Sequence, residues 1–167
     1  ELQLIPQFVL WRAEWNEKRE QFDKIPYQID SKRASSTDNI TWSTFEQIFN
    51  TYEESSEYEG IGFVLTEKDP YVCVDIDNLK SIEDLDEFAN EIVNMSYAEL
   101  SPSGKGIHVW LRHNLDKSRH KNKNDKTGYE IYAQGRFITF TGEALNSLPI
   151  NDGGEQLNKF LDKVLKR

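Results

Sequence analysis

Short apolar runs alternate with long polar stretches along this chain, and the spacing inside each run names its element. FVLWRAEW (8–15), rich in aromatic and β-branched residues, predicts a strand. A polar, mixed-charge stretch with KIPYQ inside it follows to about residue 40. TWSTFEQIFNTYEE sets Trp42, Phe45, Ile48, Phe49 and Tyr52 at helical spacing, with a cap expected near Thr41. GIGFVL (60–65) and YVCVDI (71–76) predict two strands, and the TEKDP turn between them predicts a hairpin. SIEDLDEFANEIVNM predicts a helix capped by Ser81. Acids fill its first turn, and Ile82, Leu85, Phe88, Ala89 and Ile92 form its stripe. SYAEL and IHVWLR predict strands on either side of an SPSGKG turn. Residues 113–127, HNLDKSRHKNKNDKT, are basic and without period, and a loop of that length is usually mobile or functional. GYEIYA and RFITFTG predict paired strands across Gln134 and Gly135, and GGEQLNKFLDKVLKR an amphipathic helix.

Side chains of a strand alternate between its two faces. In YVCVDID, Val72, Val74 and Ile76 share one face while Cys73, Asp75 and Asp77 share the other. In IHVWLR, Ile107, Val109 and Leu111 oppose His108, Trp110 and Arg112. In YEIYA, Tyr129, Ile131 and Ala133 oppose Glu130 and Tyr132. Placed in one sheet, these strands would turn their aliphatic faces to helices and gather Asp75, Asp77, His108 and Glu130 on the other side. Carboxylates at i and i+2 lie roughly 6–7 Å apart along a strand. Their oxygens can converge on divalent cations, and Mg²⁺ or Mn²⁺ would relieve their repulsion, with Glu130 as a third ligand. Taken alone, the aspartate pair reads more readily as the start of a solvated DIDN turn than as a metal site.

The turn before His108 carries Ser101, Ser103, Gly104, Lys105 and Gly106. Glycines admit an anion close to backbone N–H groups, and hydroxyls, an ammonium and an imidazole add donors. The turn therefore reads as a triphosphate cradle, although it lacks the P-loop pattern; a plain surface turn is the alternative. Arg136, just after Gly135, is a further phosphate contact or, equally, a surface cation, and Lys24 reads more often as a solvated lysine than as a phosphate contact. His108, His113 and His120 match no usual zinc spacing. Trp11, Trp15 and Trp42 read as core; Trp110 falls on the site face.

Composition narrows this picture. The 167 residues suit one domain or two small lobes sharing a core, with neither an internal repeat nor a linker to mark a boundary. Hydrophobic residues make up 37% and charged residues 29%, and four Trp, seven Tyr and nine Phe suffice to fill a core. No apolar stretch approaches the roughly 20 residues of a membrane span. The opening ELQLIPQFVLW lacks the basic flank and cleavage site of a leader. A single cysteine, Cys73, excludes an intramolecular disulfide and a cysteine zinc cluster and suits a reducing cytoplasm. A first residue of Glu leads us to expect a piece of a longer chain. The net charge of −9 argues against bulk attraction to nucleic acid, so any such contact would use a local basic patch or metal ions.

DID, then SGKGIH, then an acid in a later strand, in that order, resembles the archaeo-eukaryotic primase superfamily. More narrowly, it resembles the primase-polymerase domains of phages, plasmids and other mobile elements. Asp75 and Asp77 fit the metal-binding DxD; Ser103, Gly104, Gly106 and His108 fit the nucleotide motif; Glu130 fits the third acidic position. KIPYQ, ASSTDNITWSTFE, YAELSPSGKGIH and EIYAQGRFITFTG extend the likeness over nearly the whole chain. Many members have Asp where this chain has Glu130, which bears on metal geometry, and some relatives carry a cysteine zinc module that is missing here. The resemblance implies an α+β fold: a mixed sheet with an RRM-like catalytic half, a small N-terminal α/β half and flanking helices. It implies that residues 1–167 are one primase-polymerase catalytic domain, the N-terminal part of a longer replication protein. The implied chemistry is nucleotidyl transfer with Mg²⁺ or Mn²⁺ held by Asp75, Asp77 and Glu130. Ser101, Ser103, Gly104, Lys105, Gly106, His108 and Arg136 would bind the nucleotide. Implied partners are a single-stranded or primed DNA template, dNTP or NTP, and a helicase domain or replication protein, with no membrane. A metal-dependent nuclease or phosphohydrolase and a non-catalytic nucleic-acid-binding replisome module are the rival readings.

Overall fold

The computed structural model describes residues 1–167 other than 78 and 84. Its elements run in chain order from β1 (Phe8–Asn16) and β2 (Gln21–Tyr27) to α1 (Phe45–Glu54), β3 (Gly60–Leu65), β4 (Tyr71–Ile76) and α2 (Glu87–Val93). β5 (Ala98–Leu100), β6 (Ile107–Arg112), β7 (Lys123–Asn124), β8 (Tyr129–Tyr132), β9 (Arg136–Phe140), β10 (Asn151–Asp152) and α3 (Gly154–Val164) follow. The architecture is α+β, as the resemblance implies. One sheet is antiparallel in the order β2-β1-β3-β9; the other, β10-β6-β4-β8-β7 with β5 also on β6, is antiparallel except where β10 runs parallel to β6.

The chain forms two compact units. The first comprises Glu1–Thr66 and Gly135–Phe140 and holds the four-stranded sheet. Its helix α1 begins at a reciprocal capping box: the Thr44 hydroxyl accepts from the Gln47 N–H, and the Gln47 side chain accepts from the Thr44 N–H. Ile48 is fully buried, and Phe8 packs edge-on against Phe45 and Phe63 at 5.3 and 5.2 Å. Thr41, the cap expected from the sequence, instead closes a short 3₁₀ turn whose cap is Asp38. Trp11 is core, as expected, but Trp15 is 51% exposed, paired edge-on with Phe22 beside the turn of the β1–β2 hairpin.

The second unit comprises Glu67–Gln134 and Thr141–Arg167. Its core is the aliphatic face of the six-stranded sheet: Val72, Val74 and Ile76 from β4, Ile107, Val109 and Leu111 from β6, and Ile131 from β8. Ala89, Ile92 and Val93 of α2 and Leu157, Phe160, Leu161 and Val164 of α3 belong to the same cluster. Both helices therefore lie on one side of the sheet and leave its other face to the ionisable residues.

Both predicted hairpins are passages between sheets. β3 pairs with β1 and β9, whereas β4 pairs with β6 and β8. β8 pairs with β4 and β7, whereas β9 pairs with β3. β3 and β4 are inner strands buried along almost their whole length, so each takes neighbours on both edges, and those come from distant parts of the chain. The helix expected from Ser81 starts later. Asp86 caps α2 by accepting from the Ala89 N–H at 2.8 Å, and its carboxylate also accepts from the Tyr129 hydroxyl at 3.0 Å. Asp84, one of the acids expected in that helix's first turn, and Asn78, the end of the DIDN run, lie outside the described residues.

The basic stretch 113–127 is fastened to α3 rather than loose. Arg119 and His120 both donate to Asp162, the Lys121 N–H donates to Leu165 O at 2.7 Å, and the Asn124 amide donates to Val164 O at 2.8 Å. No helix among the described residues is long and apolar enough to cross a membrane.

Candidate active site

Five strands of the second unit carry ionisable side chains in one register. Glu99 of β5 is the Cα partner of His108 on β6, and His108 is the partner of Asp75 on β4. Asp75 is the partner of Glu130 on β8, and Glu130 is the partner of Lys123 on β7. Directly paired residues of neighbouring strands project to the same face, so Glu99, His108, Asp75, Glu130 and Lys123 form one row across the sheet. It lies opposite the aliphatic face that α2 and α3 cover. The parity of three strands anticipates the middle of this row, His108, Asp75 and Glu130.

The row is packed closely. His108 is 3% exposed; its Nε2 lies 3.7 Å from Asp75 Oδ1 and its Nδ1 3.8 Å from Glu99 Oε1. Glu99 is fully buried, and its carboxylate accepts from the backbone N–H groups of Thr141 and Gly142 at 3.1 and 2.9 Å and from the Tyr97 hydroxyl at 3.0 Å. A carboxylate that accepts from three donors is held in place, and the imidazole lies beside it. Burial, and then the neighbouring Glu99, push the Tyr97 phenol above its ordinary range. At the far end, Lys123 Nζ stands 2.7 Å from Glu130 Oε1, and this bond raises the lysine pKa. Glu130 itself is 8% exposed.

One register step from Asp75, on the same face of the same strand, is Cys73, whose partners are Trp110 and Tyr132. Cys73 and Trp110 are fully buried. Burial pushes the Cys73 thiol well above its usual range, with Asp75 and Glu99 adding to the shift, so it is no nucleophile.

In the other direction lies Asp77, exposed at the end of β4. Register places glycines on both sides of it: Ile76 pairs with Ile107 and with Tyr129, so the next positions are Gly106 and Gly128. The Asp77 N–H donates to Gly128 O at 3.1 Å. A Cβ on Gly106 would lie 2.9 Å from Ile76 O, 2.9 Å from Ser101 Oγ and 3.4 Å from Asp77 Oδ1. The aspartate motif and the serine-glycine turn thus meet at Gly106. Ser101 is buried and shares a 3.1 Å hydrogen bond with Ser103; Ser103, Gly104 and Lys105 are exposed. The Gly104 and Lys105 N–H groups donate within the turn, to Ser101 O and Ser103 Oγ. The exposed side-chain donors of the turn are the Ser103 hydroxyl, which also bonds Ser101, and the Lys105 ammonium.

Arg136 and Lys24 belong to the first unit, on β9 and β2, and are not among the residues the second unit assembles. The three histidines have separate partners: His108 the acids of the row, His113 the Asn158 side chain at 3.2 Å, and His120 the Asp162 carboxylate at 2.9 Å. Burial lowers the His113 pKa.

Sequence reasoning missed Glu99 and Lys123. Glu99 had a signal, since Ala98 and Leu100 flank it with the same parity as the other strands. Lys123 had none, because β7 is two residues long and sits in an aperiodic polar stretch.

Hard carboxylate oxygens in adjacent register suit a hard divalent cation, and the Lys123 ammonium shows that Glu130 already accepts a cation. Among the described residues, no three His, Cys, Asp or Glu side chains stand grouped as a finished metal ligand set. The fit therefore rests on donor chemistry and shared register.

This chain is 36% identical over 149 residues to a protein named DNA primase-polymerase from Nitratiruptor phage NrS-1. It is related to that primase-polymerase. The match takes in 84% of this chain but 20% of the phage protein, so the chain spans about a fifth of its relative's length. Residues 63–139, which carry Asp75, Asp77, His108 and Glu130, match the family described as BT4734-like, N-terminal domain.

Proposed function

We propose that this chain carries the nucleotidyl-transfer site of a DNA primase-polymerase that serves the replication of a mobile element. The observation that carries the reading is the row in which Asp75 stands between His108 and Glu130, two residues from Asp77 and its flanking glycines. The relationship to the phage primase-polymerase supports it.

Asp75, Asp77 and Glu130 would hold Mg²⁺ or Mn²⁺, which when bound neutralises triphosphate charge and acidifies the attacking 3′-hydroxyl. The chain's own residues prepare the rest. His108 stands between two carboxylates, with Nδ1 toward Glu99 and Nε2 toward Asp75. Ser103 and Lys105 supply exposed donors to the phosphates of an incoming dNTP or NTP, and the missing side chain of Gly106 leaves space beside the Asp77 carboxylate. Cations held by these carboxylates would also offset the acidity of the chain toward an acidic polymer.

The test is a labelled single-stranded template, with and without an annealed primer, incubated with nucleotides and Mn²⁺. Primer extension, or new primers on the bare template, supports the proposal. Shortening of the labelled strand would assign the site to a nuclease. Binding without either product, unchanged in Asp75→Ala/Asp77→Ala, would make the chain a non-catalytic module.

A further inference from the structure

Lys123 is the one member of the row that is a permanent cation, and it already occupies one oxygen of Glu130. Its Nζ is 2.7 Å from Glu130 Oε1 and 3.3 Å from Asp125 Oδ1. Its anchorage is firm: the neighbouring Asn124 amide donates to Val164 O at 2.8 Å, Lys121 N–H to Leu165 O at 2.7 Å, and Ile131 N–H to Asn122 O at 2.8 Å. The two-residue strand is thereby held between β8 and the end of α3. The lysine head is half exposed, whereas the glutamate side chain is only 10% exposed. The ammonium can therefore swing into solvent while the carboxylate stays in place.

We infer that Lys123 is a tethered counter-cation for Glu130, a positioning residue that holds this carboxylate in the row while no metal is bound and gives it up when a divalent cation arrives. This rests on the metal reading of Asp75, Asp77 and Glu130 given above. Two cations compete for one carboxylate. The resident one, attached to the chain, sets how much free Mg²⁺ or Mn²⁺ is needed to load the site. A lysine suits this role because its charge is compact and its stem flexible. In the loaded state the released ammonium faces the same side of the sheet as the acids.

The experiment is an Mn²⁺ titration of the nucleotide-free chain, followed by the electron paramagnetic resonance signal of free Mn²⁺. Thermal melts with and without saturating Mn²⁺ are run alongside. Lys123→Gln is expected to bind Mn²⁺ about three- to tenfold more tightly than the unmodified chain, the gain from removing one partly exposed competing charge. It should melt lower without metal, and the gap should narrow at saturating Mn²⁺; Lys123→Arg should stay near the unmodified chain in both readouts. A merely structural lysine would lower both melts equally and leave the affinity alone. A lysine that only touches substrate phosphate would leave both readouts unchanged. Mn²⁺ binding that is lost in Asp75→Asn yet equal or weaker in Lys123→Gln overturns this inference alone. An unmodified chain that binds no Mn²⁺ overturns it together with the metal reading.

Discussion

Gly106 is a glycine because of distance. Any Cβ there would come within 2.9 Å of both Ile76 O and Ser101 Oγ, one of them backbone that cannot yield without moving β4. Gly106→Ala is expected to destabilise the chain by about 1–3 kcal/mol in urea unfolding, the usual range for overpacking. It should also weaken nucleotide binding, because the shift falls between Asp77 and the serine-glycine turn. Glu99 gives a second test. Glu99→Gln turns an amide donor toward groups that are donors themselves, at a cost of about 1–3 kcal/mol for a buried mismatch. A lower melting temperature and a slower extension rate at unchanged primer-template affinity are the expected results. Asp75, His108 and Glu130 were legible in the sequence because alternation along β4, β6 and β8 separates an aliphatic face from an ionisable one. Glu99 was less so: three residues of β5 barely show an alternation, and its role depends on Thr141 and Gly142, some forty residues away.

Elements were easier to name than to pair. Every predicted strand exists, the apolar stripe of α3 faces the core, and of the stripe expected for α2 Ala89 and Ile92 face it while Phe88 is exposed. TEKDP and Gln134-Gly135 have the chemistry of tight turns, and local chemistry alone suggested hairpins. Pairing follows burial instead. GIGFVL is apolar throughout and YVCVDI is apolar except for Asp75, and both are buried along almost their whole length, the mark of inner strands that need a neighbour on each edge. β2 escaped notice because QFDKIPY is polar and largely exposed, and it pairs with β1 alone. Two predictions belong here. Removing the α1 cap by Thr44→Ala should cost about 1 kcal/mol in urea unfolding and leave Mn²⁺ binding as it was. The strap on α3 should respond to acid: hydrogen bonds from Arg119 and His120 hold the Asp162 carboxyl below its ordinary range. Its folded pKa thus lies under the unfolded value of about 3.9. The strap's contribution is complete above that value and fades as the pH falls through the folded one. Asp162→Asn should raise amide exchange across residues 117–124 at neutral pH, read by hydrogen–deuterium exchange.

At the scale of the molecule, acidity and proposed substrate stand in tension. A chain of net charge −9 has no general attraction for a polyanion, so binding of template and nucleotide should depend on divalent cations far more than in a basic protein. The six-stranded sheet divides its labour by face: one face is sealed by α2 and α3, and the other carries the row from Glu99 to Lys123. The composition pointed to a folded, aromatic-rich chain, and motif order pointed to the site. The two sheets were not legible, since their make-up depends on which distant strands meet. The most direct measurement is template-directed incorporation of labelled dNTP onto a primed single strand at saturating Mn²⁺, comparing the unmodified chain with Glu130→Gln. The account predicts template-matched extension that falls at least about a hundredfold in the variant, a loss of some 2.7 kcal/mol of transition-state stabilisation. Extension undiminished in Glu130→Gln, or none by the unmodified chain, would contradict it.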